Sequence, residues 1–147
     1  MGAYRIVVVG TDGSPSSLRA VDRAGAIAAE SDAKLIIATG YLPEPEDSRA
    51  ADALGSEGYM VRGKAPIYGI LREARDRAKA AGAKEIDERP IQDAPVHALV
   101  DLAADVKADL LVVGNAGLHA IMGRQFSVPG AIATKAKADV LIVHTTD

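Results

Sequence analysis

Four stretches of the chain are unbroken apolar runs rich in β-branched residues: Tyr4–Gly10 (YRIVVVG), Ala33–Gly40 (AKLIIATG), Ala108–Gly114 (ADLLVVG) and Ala138–Thr145 (ADVLIVHT). Apolar runs without alternation belong to strands covered on both faces, as in parallel sheets. The polarity of a fifth candidate, Lys84–Ile91 (KEIDERPI), places it at a sheet edge. Helical patterns fill the intervals: Ser16–Ser31, Ala65–Ala81, Pro95–Lys107 and Pro129–Lys137. The first puts Leu18, Val21, Ala24, Gly25 and Ala28 on one stripe, and the second gathers Ile67, Ile70, Leu71, Ala74 and Ala78 before Gly82 offers a C-cap. Pro66, Pro95 and Pro129 sit near helix starts, where a missing N–H costs least.

Strands alternating with helices imply parallel pairing through right-handed crossovers, so the pattern predicts a doubly wound five-stranded parallel α/β sheet with helices on both faces. One domain spanning residues 1–147 is expected. The segment Tyr41–Lys64 is too long for a routine connection. It reads either as a solvated surface excursion or as a lid, with a short helix around Ser48–Leu54.

Composition narrows the chemistry. Tryptophan is absent and phenylalanine occurs once, so the core rests on small branched side chains that suit tight helix-on-sheet layers. With no cysteine, disulfides and thiolate chemistry are excluded, and His97, His119 and His144 are too scattered for a metal cluster. The amino-terminal apolar stretch is too short for a signal peptide, and no window approaches the roughly 20 apolar residues of a membrane span. A net charge of −3 without a basic block argues against nucleic acid as a partner. The expectation is a cytoplasmic protein that engages neither membrane nor nucleic acid.

In open α/β sheets ligands sit at the carboxyl ends of the strands, where the winding direction reverses. Two strand ends stand out: Gly10-Thr11-Asp12-Gly13-Ser14 after the first strand, and Gly114-Asn115-Ala116-Gly117 after the run that ends in Val113. Glycine there lets backbone approach a ligand and permits turns with positive φ. The Asp12 carboxylate can accept from ribose hydroxyls, bind a metal carried by phosphate, or shape the turn before the helix, although Ser14, Ser16 and Ser17 are better placed to cap it. On the other side, the glycine turn and the later segment Ser127–Ala136 suggest an anion cradle, in which a helix N-terminus, the Ser127 hydroxyl and Arg124 point at one place.

Neither a P-loop nor the GxGxxG dinucleotide fingerprint occurs, and no GxSxG elbow or cysteine supplies an activated nucleophile. No catalytic residue is assigned.

The stretches VVGTDGSPSSLRAVDRA, ADLLVVGNAGL and SVPGAIATKAKADVLIVHT resemble the universal stress protein family, and the likeness spans the whole chain. The resemblance implies a sheet in the order 3-2-1-4-5, of the adenine nucleotide alpha hydrolase-like type. It further implies that Gly10, Thr11 and Asp12 line the adenosine side, that Gly40 backbone faces adenine, and that Gly114, Asn115, Gly117, Ser127 and Val128 approach phosphate; Val113 and Arg124 are counted as nucleotide-binding candidates beside them. ATP-binding members carry a Gly-x-x-Gly turn, nine residues, then Gly followed by Ser or Thr. Here Gly114 and Gly117 match the first half, but Ser127 and Val128 stand where that Gly and Ser belong, as if one residue had been lost. The expected ligand is therefore an adenine nucleotide, ATP, AMP or cyclic AMP, with magnesium accompanying ATP near Asp12. The resemblance also implies a homodimer joined through the last strand, Ala138–Thr145. The competing readings are an interaction homodimer whose nucleotide site has closed and an enzyme that hydrolyses ATP slowly at most.

Overall fold

A computed structural model describes residues 3–41, 64–92, 95–115 and 128–145. In chain order the elements are β1 (Ile6–Gly10), α1 (Pro15–Ser31), β2 (Lys34–Tyr41), α2 (Lys64–Ala80), β3 (Glu85–Gln92), α3 (Pro95–Asp105), β4 (Leu110–Gly114), α4 (Val128–Lys135) and β5 (Asp139–Val143). The strands form one parallel sheet in the order β3-β2-β1-β4-β5. The expected sheet, order and helix positions are thus those observed. The proposed lid or helix within Tyr41–Lys64 falls on residues 42–63, outside the described residues.

Alternation along the central strands divides the core. Val7, Val9, Leu35, Ile37 and Val112 turn to one face, where α1 and α2 cover them with Leu18, Val21, Ala24, Leu71, Ala74 and Ala78. Val8, Ile36, Leu111 and Val113 turn to the other, beneath Leu99, Leu102 and Ala103 of α3 and Ile132 of α4. Burial on both faces is what leaves these strands without polar positions, and so explains their unbroken apolar sequence.

The two edge strands differ. β3 carries Lys34–Asp87 and Arg75–Glu88 ion pairs, both at 3.2 Å, and Pro90, which cannot donate to a further strand. β5 carries Val140, Leu141 and Ile142, the last 41% exposed.

The amino ends of the strands are clipped by side chains. Asp109 accepts from the amides of Arg5 at 3.0 Å and Ile6 at 3.0 Å, and the Tyr4 hydroxyl donates to Asp139 at 3.1 Å. A crevice of about 160 Å³ between Ala28, Ala29, Asp32, Ala33, Lys84 and Glu85 lies at this end too, remote from the carboxyl tips.

Candidate functional site

The switch point lies between β1 and β4, which are adjacent although their crossovers run in opposite directions. After β1 the chain makes a turn that satisfies itself. Thr11 N–H donates to Ala38 O at 2.9 Å, Asp12 N–H to Ser17 Oγ at 3.2 Å, Gly13 N–H to Thr11 Oγ1 at 3.1 Å, and Ser14 N–H to Asp12 Oδ1 at 2.9 Å. Ser14 is the N-cap of α1, its side chain accepting from Ser17 N–H at 3.2 Å. The serine rather than Asp12 therefore caps the helix. Thr11 and Ser17 are fully buried, their hydroxyls 2.8 Å apart, so the Thr11 side chain holds the turn together from inside.

Every amide from Thr11 to Ser14 is thus committed. What the turn offers outward is the half-buried Asp12 carboxylate: Oδ1 is held by Ser14 N–H, and Oδ2 takes no partner among the described residues. A carboxylate with spent amides around it repels an anion and accepts from a hydroxyl or amine.

Three glycines define this end, and the protein itself demands each. Gly13 has φ +83°, a left-handed conformation that only glycine adopts cheaply. A β-carbon on Gly10 would stand 2.6 Å from Leu99 Cδ1, and one on Gly114 would stand 3.1 Å from Ser16 Oγ and 3.2 Å from Ser16 O. Gly10 and Gly114 therefore admit α3 and the first turn of α1 to the sheet, a packing reason that would hold without any ligand.

β2 outruns β1. The register ends at Gly10 opposite Ala38, whereas Thr39, Gly40 and Tyr41 continue beside Pro90, Ile91 and Gln92 of β3. Ala38 O points at β1, where it accepts from Thr11 N–H. Strand backbone groups repeat direction every second residue, so Gly40 presents its N–H and C=O to the same side, past the place where β1 turns away. An extended donor–acceptor pair there matches the edge of a planar heterocycle.

At the β4 tip, Asn115 N–H donates to Val143 O at 3.0 Å, and Asn115 Oδ1 accepts from Thr145 N–H at 3.0 Å and from Thr145 Oγ1 at 2.7 Å. Asn115 Nδ2 lies 3.5 Å from His144 Nδ1. Asn115 thus ties β4 to β5, while Val113 is fully buried in the core beneath α3 and α4. Gly117, His119, Arg124 and Ser127 lie outside the described residues. Val128 opens α4, and because β4 and β5 are parallel, the helix between them starts toward the carboxyl end of the sheet. His97 is exposed on α3, far in sequence from both tips.

Sequence reasoning passed over Ser17 as more than a capping candidate, and it placed Thr145 only as the last residue of the final strand. Thr145 is 5% exposed and lies beyond the end of β5, which stops at Val143 rather than running on to residue 145. The legible signal was a hydroxyl residue following an apolar edge strand; its partners are too distant in sequence to be guessed. Among the described residues no group of three or more His, Asp or Glu could hold a metal, so Asp12 would bind one only with help from a ligand's own oxygens. No described helix is long and apolar enough to cross a membrane.

This arrangement has close counterparts. The sequence model of the universal stress protein family matches residues 3–144. Universal stress protein Rv1636 of Mycobacterium tuberculosis is 64% identical over 147 residues, covering 99% of this chain and all of that one. A universal stress protein crystallised in complex with cAMP superposes with a TM-score of 0.78 at 61% identity, covering 99% of this chain and 100% of its own. The fold extends further, to a universal stress protein from Archaeoglobus fulgidus with a TM-score of 0.68 at 21% identity, covering 95% of this chain and 93% of that one. With its sheet order, its turn after β1 and sequence agreement along almost its full length, the chain belongs to the universal stress protein family.

Proposed function

We propose that this protein binds an adenine nucleotide at the carboxyl tips of β1, β2 and β4, and serves as a nucleotide-responsive signalling module with little or no turnover. The observation that carries the reading is the polarity of the β1 turn. Its amides are spent and its outward group is a carboxylate, so a nucleotide must place ribose hydroxyls at Asp12 and its phosphate on the other side, toward the β4 tip and the amino end of α4. The Gly40 backbone, projecting past β1, is the reader of the adenine edge. Cyclic AMP leads among candidates, because a relative 61% identical was crystallised with it. ATP and AMP are the alternatives, with magnesium held by ATP phosphates and Asp12.

The protein acts as a homodimer in the cytoplasm in this reading. Among the described residues β5 is a free edge with half-exposed Val140 and Leu141 and exposed Ile142, whereas β3 is defended by charge and proline. A second copy pairing along β5 would cover that edge.

Calorimetric titration with cyclic AMP, AMP and ATP tests the site. Saturable heat for cyclic AMP is expected, with Asp12→Ala weakening it about 10- to 150-fold, the equivalent of a charged hydrogen bond of about 1.5–3 kcal/mol, in a variant that melts like the parent. Absence of saturable heat with all three nucleotides would leave the interaction-homodimer reading in its place.

A further inference from the structure

One polar cluster borders the site at the β4 tip. Thr145 stands two residues beyond β5, and the side chains of Asn115, Ser16 and Arg19 meet on it. Its N–H donates to Asn115 Oδ1 at 3.0 Å, its hydroxyl donates to the same oxygen at 2.7 Å, Ser16 Oγ is hydrogen-bonded to that hydroxyl, and Arg19 Nη1 donates to Thr145 O at 2.6 Å. Nearby, Val143 O accepts from Asn115 N–H at 3.0 Å.

Proton bookkeeping gives this cluster a direction. The Thr145 hydroxyl has one proton, and Asn115 Oδ1 can only accept; the Ser16 hydroxyl must then donate to Thr145 Oγ1. The result is a chain, Ser16 O–H to Thr145 O–H to Asn115 Oδ1, in which each bond polarises the next. One end lies in the first turn of α1, two residues from Ser14, whose N–H holds Asp12 Oδ1 at 2.9 Å. The other end is the β4 tip. The middle member is covalently continuous with the free sheet edge, two residues past Val143 and three past exposed Ile142.

We propose that Thr145 is a positioning residue that couples pairing of a second copy along β5 to ligand binding between the β1 and β4 tips. Pairing fixes the end of β5, and with it Thr145; Thr145 sets Ser16 and Asn115; Ser16 carries the setting to the turn that orients Asp12. Because linkage is reciprocal, a ligand that bridges the two tips tightens the dimer by the same factor that the dimer tightens the ligand. The inference rests on the nucleotide and homodimer reading above, and adds the coupling between its two parts.

The test measures the dimer dissociation constant by sedimentation, with and without saturating cyclic AMP. The parent protein and Thr145→Ser, which keeps the hydroxyl, should show a ligand-induced tightening of about fivefold or more. Thr145→Val, of nearly the same shape, should still dimerise and still bind, with that ratio reduced to about one. Ser16→Ala breaks the chain from its other end and should lower the ratio likewise, so a poorly folding Thr145→Val protein does not remove the test. A ratio unchanged in both Thr145→Val and Ser16→Ala, or a parent that binds and dimerises with no ratio, overturns the coupling alone. A parent that fails to bind cyclic AMP, or fails to dimerise, overturns the underlying reading and the coupling with it.

Discussion

At the β1 tip the hydrogen bonds that shape the turn are made between Thr11 and Ser17, six positions apart, with only Thr11 N–H reaching outside to Ala38. At the β4 tip the hydrogen bonds described for Asn115 reach far along the chain. Asn115 is held by Val143 and Thr145, and Ser16 meets Thr145 across a separation of 129 residues. One tip is a self-contained loop delivered by a strand. The other is a junction, assembled only when β5 has taken its place beside β4 and α1 has packed over Gly114. A local turn can be rigid before the sheet is complete, whereas a junction gains its geometry, and its sensitivity to the sheet edge, from the final packing step.

The contrast is tested most heavily by Gly114→Val. A β-carbon there already crowds Ser16 Oγ and O, so the larger side chain should push α1 off the β4 tip and destabilise the fold by about 3 kcal/mol, read from urea unfolding. Near-parental stability would mean that the close approach of α1 is not needed. Ser17→Ala probes the local tip: the buried Asp12 N–H loses its acceptor and the Thr11 hydroxyl its neighbour, for a cost of about 2 kcal/mol.

Smaller is the loss of the cap. Ser14→Ala should cost about 1 kcal/mol, and because Ser14 and Ser17 are directly bonded, the double variant should depart from additivity by at least about 0.5 kcal/mol. An additive pair would show that the turn is not one cooperative unit. Last, deleting residues 144–147 should speed hydrogen exchange at Asn115 more than at Asp12, Gly13 or Ser14, whose acceptors all lie within the turn. Equal acceleration at both tips would erase the distinction between loop and junction.

Much of this molecule is written locally. The apolar runs announce strands covered on both faces because Val7 to Val9 and Leu110 to Val113 are buried whichever way they point. KEIDERPI announces an edge because its charges and Pro90 could not lie inside a sheet. Ser14 as cap and Asp12 as outward carboxylate follow from short-range chemistry in a turn before a helix. The strand-end glycines were legible as close approaches, but what packs on their α-carbons was not: Leu99 stands where a side chain at Gly10 would go, and Ser16 where one at Gly114 would go.

The sequence by itself determined the five strands and four helices of the described residues, and the family to which they belong, because each depends on periodicity or on residues within a few positions of one another. Only the tertiary structure decided that Gly40 projects past β1, that Asn115 is tied to the end of β5, and that Thr145 stands between Ser16 and Asn115. These contacts depend on strand register and on where β5 ends. No local pattern encodes a meeting of hydroxyls that the chain separates by nearly its whole length.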